Sequence, residues 1–467
     1  VTAPLAPGPG AARQRRELRR DTALTAGGQL LAVVSAFLVT LVGARVLTTG
    51  QFGALSWALS WLTFLAVLAQ VGLPQVATIA FSQQERRLHV PLLGRLLTAL
   101  AVGVALTAAL WQWAVGPATA AAGSPAEAYR PLVLLVTLGL PVAAVGPVLA
   151  DVFRARGRFG LAVAFGEHVR RGALVVLLLV AAAGAGTMPT ARAALAWTVA
   201  VESAVYLLGV LLLFRVLATG PGARHAAGRA RGDEPAAEVP RAEPSGRDPA
   251  GSPWRLLRTG STFALAALAS VTVPQAGVWL LAGVAPVEEV AVFSVAVRIA
   301  VLLAVPTAIG MRTLAPRIAA AAGSGRLPTL QQPVRRFAVW STAVTALAVA
   351  VLAAAGPVLL PALFGEQYDA ALVPALVMSA GVLVNAWTGP CSVVLSHAGR
   401  QRVVAVSALL AALAFAGLAV WWGGTWGGTG VASAAAVAMG ARNLALARIA
   451  QQKLGIRTIA LPTRRGT

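Results

Sequence analysis

Three ionisable side chains stand inside long apolar runs of this sequence. Arg45 lies near the end of one, in "FLVTLVGARVLTTGQFGALSW" (37–57); Arg298 lies within "VAVFSVAVRIAVLLAV" (290–305) and Glu202 within "ALAWTVAVESAVYLLGV" (194–210). A charge in hydrocarbon is costly, and such residues face a bundle interior or a water-filled cavity. Arg298 is nine residues beyond Glu289, roughly 13 Å along a helix, too deep for its head to snorkel comfortably. A guanidinium held there is a planar fork that pairs bidentately with an oxyanion. The competing assignment is a structural ion pair with Glu202, which lies ten residues from Arg192 and thirteen from Arg215 and so near mid-membrane. Arg45 is two residues from the end of its run, where snorkelling to the surface competes with a ligand role.

The elements that must position these residues are transmembrane helices. Of 467 residues, 58% are hydrophobic and 12% charged, half the charged share of soluble domains, about 25%. Apolar windows of about 20 residues place twelve spans near 23–47, 54–81, 91–115, 131–153, 161–184, 190–215, 259–284, 290–311, 337–360, 370–396, 402–422 and 428–450. Lipid admits only helices and closed barrels, and runs this long, rich in alanine and leucine, are helices. The expected fold class is an all-α polytopic membrane protein.

The net charge of +22 does not mark a nucleic-acid binder, because the arginines fall in short clusters between the spans. With a cytoplasmic N-terminus, 34 of the 38 basic residues fall on or beside the cytoplasmic side, Arg170 and Arg171 counted just inside span 5. The opposite side carries "TTGQFG", "APVEE" and "GEQYD". That alternation follows the positive-inside rule through all twelve spans, giving a multi-pass protein of the cell membrane with both termini cytoplasmic. Only Arg45, Arg130, Arg192 and Arg298 depart from it. The cluster "RQRRELRR" (13–20) is expected to meet anionic lipid head-groups. The first 22 residues lack the apolar core and cleavage site of a signal peptide.

Residues 217–254 are rich in Gly, Pro, Ala and mixed charge and read as a flexible cytoplasmic linker. The expected organisation is a basic tail (1–22), a six-helix bundle (23–216), the linker, a second six-helix bundle (255–452) and a cytoplasmic tail (453–467). "VLTTGQFGALSWALSW" after span 1 overlays "VAPVEEVAVFSVAVRI" after span 7, and "RARGRF" after span 4 overlays "HAGRQR" after span 10 at nearly the same offset. Six spans per half make this a parallel pseudo-repeat about the membrane normal, a plan of secondary transporters with a central site. "GLP" at 72–74 and 139–141, "GP" at 146–147 and 389–390, and Pro306 are candidate hinges. Trp57, Trp61, Trp111, Trp113 and Trp279 near span ends read as interfacial belt residues.

Several chemistries are missing. No G-x-x-x-x-G-K-[ST] or H-E-x-x-H occurs, the four histidines are scattered, and Cys391 is the single cysteine. Neither an ATPase of that type nor a cysteine or histidine metal centre is expected, and no cofactor. The short outer loops leave little room for a catalytic domain, so no enzyme is expected.

Against this background, "AGGQLLAVVSAFLVTLVGARVLTTGQFGALSWALSW", "DVFRARGRFGLAVAFGEHV", "GPVLLPALFGEQYDAALVPALVMSAGVLVNAWTGPCSVVLSHAGRQR" and "GGTGVASAAAVAMGARNLALARIAQQKLGIRT" resemble polysaccharide-unit flippases. These belong to the multidrug/oligosaccharidyl-lipid/polysaccharide exporter superfamily. The resemblance implies a V-shaped pair of six-helix bundles in alternating access, moving a polyprenyl-diphosphate-linked oligosaccharide to the outer leaflet. It implies partnership with polysaccharide polymerase and glycosyltransferases. Members often carry an acid early in span 7, where this chain has Gly277. Lipid II flippases usually carry two further spans, so twelve favours an oligosaccharide exporter. Cavity candidates are Arg298, Arg45, Glu202, Gln275 and Asn385, with Arg298 suited to the diphosphate. The alternative is a multidrug or cation antiporter of the same superfamily, which needs carboxylates that spans 1 and 2 lack.

Overall fold

The computed structural model describes residues 27, 31–83, 89–120, 125–156, 158–184, 190–218, 253–324 and 326–460. The basic tail, all but the edges of the linker and the last seven residues lie outside the described set. The described residues are helical, in fourteen segments: α1 Leu31–Val46, α2 Thr49–Gln70, α3 Leu73–Gln83, α4 His89–Ala120, α5 Arg130–Ala155, α6 Phe159–Ala164, α7 Glu167–Gly184, α8 Ala191–Ala218, α9 Pro253–Ala282, α10 Val287–Gly323, α11 Gln331–Phe364, α12 Leu372–Thr388, α13 Cys391–His397 and α14 Gln401–Leu454. Eight helices are individually long and apolar enough to cross a membrane, with two shorter apolar helices besides.

These segments reproduce twelve passes once the breaks are read. Span 2 is α2 plus α3, interrupted where Val71 and Gly72 turn left-handed (φ 46° and 72°). Span 10 is α12 plus α13, interrupted at Gly389 (φ 66°). The 54-residue α14 is two antiparallel helices. At Gly427 the backbone leaves helical geometry (φ 54°, ψ −137°), and Gly423 comes against Val431, eight residues on. A straight helix would hold these about 12 Å apart. Glu289 fixes the turn, accepting a hydrogen bond from the Gly428 N–H at 2.7 Å where the second helix begins, as a carboxylate at a helix N-terminus should.

Glycine-proline pairs do not all act as hinges. "GLP" 72–74 and "GP" 389–390 sit at breaks, whereas "GLP" 139–141 and "GP" 146–147 lie inside the unbroken α5, and Pro306 inside the unbroken α10. At Gly146 the missing side chain instead admits the Tyr206 ring.

The two halves meet through segments that the sequence repeat equates. Aligning 46–61 with 284–299 pairs Gly50 with Glu288 and Gly53 with Ala291. In the structure Gly50 abuts Glu288, and a Cβ on Gly53 would overlap the Val287 carbonyl oxygen and crowd Ala291. Equivalent residues touch where a twofold axis passes, so a pseudo-twofold runs between α2 and α10 at their arginine-poor ends. The turns after spans 4 and 10 also repeat: Arg158 N–H bonds Phe153 O (2.9 Å) as Arg400 N–H bonds Leu395 O (3.0 Å). The chain continues past α14 into a packed strap rather than directly into a tail. The Gln331 side chain makes two hydrogen bonds with the Arg457 backbone, and Ala460 N–H bonds Trp387 O.

Candidate functional site

Two arginines from different halves of the chain face one cavity of about 120 Å³. α1 supplies Ala36, Val39 and Thr40; α2 supplies one face from Phe52 to Thr63; α7 supplies Arg171 and Leu174. From the second half come Gln275 and Val278 on α9, and Ser294, Val297, Arg298 and Val301 on α10. The helical period explains the selection, since Ser294, Val297, Arg298 and Val301 lie three or four apart on one face. Arg298 Nε donates to Thr40 Oγ1 at 3.2 Å, and that hydroxyl donates onward to Ala36 O at 3.2 Å. Arg171 Nη1 donates to Ala32 O at 2.6 Å. Among the seventeen lining residues there is no carboxylate. The other polar groups are hydroxyls and the Gln275 amide. Two cations in a low-dielectric cleft whose lining residues include no carboxylate attract an oxyanion, and the guanidinium forks are shaped to grip one.

Arg171 is the residue that sequence reasoning placed elsewhere, among the charges flanking the membrane. α6 ends at Ala164 and α7 begins at Glu167, so Arg171 is a full turn inside a new helix. Adjacent helical residues point about 100° apart, so of the pair at 170–171 one could turn inward; that was the available signal. Arg442, counted with the flanking charges, is likewise half-buried along α14.

The expected partners divide. Gln275 lines the cavity with Arg298. Glu202 does not: it is buried, 1% exposed, on α8, which packs on α5 and α7. The guanidinium of Arg298 reaches Thr40 rather than Glu202, which corrects the expected ion pair. Asn385 also lies off the cavity, its Oδ1 accepting from Asn443 Nδ2 at 2.9 Å within the second bundle. There it ties α12 to α14.

Arg45 sits at the arginine-poor rim, where its Nε donates to Leu363 O at 2.8 Å and its Nη2 to Ala362 O. These carbonyls end α11, where the helix leaves acceptors unmet and carries partial negative charge. Around this contact Phe37 meets Phe364 and Phe52 meets Tyr368 edge-on, at 5.9 and 6.0 Å. The cavity is therefore shut on the arginine-poor side by contacts between the halves. A second, shallower cavity of about 670 Å³ lies outside this closure, between Thr48–Gln51, Arg192 and Glu288.

Of the five tryptophans read as a belt, four are packed inside. Trp57 and Trp111 are buried, 4% and 2% exposed, and Trp61 and Trp279 are half-buried and stacked on each other; only Trp113, 78% exposed, fits the interfacial assignment. No group of metal-ligating side chains occurs among the described residues.

No protein-family model matches the chain, and no curated protein matches it. Solved structures do. An inward-facing multidrug resistance MATE family transporter of the MOP superfamily superposes with a TM-score of 0.63 at 16% identity, over 90% of this chain and 94% of that one. The lipid II flippase MurJ, in an inward closed conformation, gives 0.60 at 10% identity over 90% and 87%. A MOP superfamily transporter from Pyrococcus furiosus, for which reverse polarity of the binding pocket suggests a different function, gives 0.58 at 13% over 94% and 95%. The chain has the MOP transporter fold.

Proposed function

We propose that this chain, built on the MOP transporter fold, is a flippase for a polyprenyl-diphosphate-linked oligosaccharide. It carries the diphosphate head-group from the arginine-rich, cytoplasmic leaflet to the outer leaflet by alternating access. The observation that carries this reading is the cavity itself: Arg171 and Arg298 on its walls and no carboxylate among its lining residues. A cation antiporter needs the opposite polarity, and the intramembrane acid Glu202 does not line this cavity.

The residues divide the work. Arg298, held on one edge by Thr40, presents the rest of its fork to a phosphate. Arg171, near the arginine-rich end of α7, meets an anion entering from that side. At about 120 Å³ the cavity holds a few waters and must widen to accept a glycan. With the arginine-poor side closed by the Arg45 and Gly53 contacts, widening occurs toward the cytoplasm. Loading then reverses the tilt of the halves about the pseudo-twofold. No P-loop motif is present.

The test is leaflet exchange of a fluorescent polyprenyl-diphosphate oligosaccharide in proteoliposomes, followed by quenching. Wild type exchanges the lipid and Arg298→Ala lowers the rate by about tenfold or more, the loss of a charge-assisted contact. Absence of exchange, with proton- or sodium-driven efflux of organic cations in its place, transfers the chain to the antiporter class.

A further inference from the structure

An aromatic cluster adjoins the arginine cavity and bridges the two halves. Trp61 on α2 and Trp279 on α9 are stacked, with ring centroids 4.1 Å apart and planes within 14°. Phe64 meets the edge of Trp279 at 4.7 Å, and Trp111 backs Trp61 at 4.8 Å. The sequence neighbours of the two indoles, Ser60 and Val278, are cavity-lining residues. Trp279 Nε1 donates to Ser60 Oγ at 2.8 Å, and Ser60 donates in turn to Trp57 O at 2.7 Å. Trp61 Nε1 is buried and has no acceptor among the described residues.

A seal between halves requires apolar bulk, and an aliphatic pair would supply it without an unmet donor. This pair carries two flat indole faces, an unmet N–H, and the Ser60 hydroxyl and Gln275 amide close by. That combination matches a sugar, whose C–H face packs on an electron-rich ring while its hydroxyls accept and donate hydrogen bonds. A buried donor without a partner is a standing cost that a ligand hydroxyl would remove. In the closed state each indole covers the other. When α2 and α9 part to open the arginine-poor side, both faces and the Trp61 N–H are uncovered beside the two arginines.

We propose that Trp61 and Trp279 form a sugar platform, unmasked on opening, that receives the first rings of the glycan while the arginines hold the diphosphate. The proposal rests on the lipid-linked-glycan reading above. It assigns the two tryptophans to selecting glycosylated over bare lipid.

The experiment compares leaflet exchange of the glycosylated polyprenyl diphosphate with that of the glycan-free polyprenyl diphosphate. Trp61→Ala and Trp279→Ala are expected to lower the glycosylated-to-bare rate ratio by about tenfold. Trp61→Phe, which keeps a ring and loses the donor, lowers it severalfold and guards against misfolding of the alanine variants. Arg298→Ala slows both lipids and leaves the ratio unchanged. A ratio unaltered in Trp61→Phe and in both alanine variants overturns the platform while leaving the flippase reading intact. A wild type that moves neither lipid overturns the flippase reading and the platform with it.

Discussion

At the scale of single residues, the proposed anion site depends on two arginines that are held differently. Arg298 is anchored on one edge by Thr40, whereas Arg171 is tied to the first helix through Ala32 O. Lys at position 298 keeps the charge and loses the fork, so it is a poor substitute for a bidentate grip. Arg171→Gln tests the residue that charge counting placed at the membrane surface. It is expected to lower exchange of the lipid diphosphate by about tenfold or more, by an increase in the lipid concentration needed for half-maximal rate. If Arg171 served only the positive-inside pattern, exchange in vesicles of oriented protein would be unchanged.

At the scale of elements, what holds the closed state is the meeting of helix ends. Arg45 joins the end of α1 to the last carbonyls of α11, a contact worth up to about 1 kcal/mol for a cation at an exposed helix C-terminus. Its release costs no more than that when those carbonyls turn to water. Arg45→Ala is therefore expected to favour opening on the arginine-poor side. The chain suits a labelling test, because its one cysteine, Cys391, is buried. In a Ser56→Cys background, an impermeant maleimide added from the outer side should label the cavity severalfold faster when Arg45 is alanine. Equal labelling would leave Arg45 a surface arginine with no hold on the equilibrium. Gly53 belongs to the same closure, since the approach of α10 to α2 leaves no room for a side chain there.

At the scale of the whole molecule, the pseudo-twofold and the cationic lining of the cavity together suggest how the cycle is driven. An empty cavity carrying two positive charges is drawn toward a negative interior, and an anionic head-group is drawn away from it. Moving one charge through the full potential is worth about 2.3 kcal/mol per 100 mV. A bound diphosphate cancels the charge of the two arginines, so an inside-negative potential acts on the return of the empty, cationic cavity, and the full cycle exports negative charge. Imposing such a potential with a potassium gradient and valinomycin should raise the inward-to-outward rate, and reversing it should lower that rate. A rate indifferent to potential and dependent on a proton or sodium gradient would instead require a carboxylate in the transport path.

The sequence by itself determined the helical class, the number of passes and the pairing of halves. These follow from hydropathy, the cost of unpaired backbone in lipid and a repeat near 240 residues, all of which are local or periodic along the chain. It also marked Arg298 as an interior candidate, since a cation that deep is costly against lipid, and left Gln275 open between lining a cavity and bonding another helix. Only the tertiary structure decided which polar groups share that interior. Glu202 and Asn385 are as deep as Arg298 in sequence terms, yet one is buried on α8 outside the cavity lining and the other is bonded to Asn443. Arg171 moved the other way, because the break before Glu167 sets a new helical phase. The tryptophans, apolar and near span ends, have the composition of a belt, and it is the packing of α2 on α4 and α9 that gathers Trp57, Trp61, Trp111 and Trp279 into a cluster. Depth in the membrane is written in the distance along the chain, but the direction a side chain faces depends on helix phase and on which helix lies next to it.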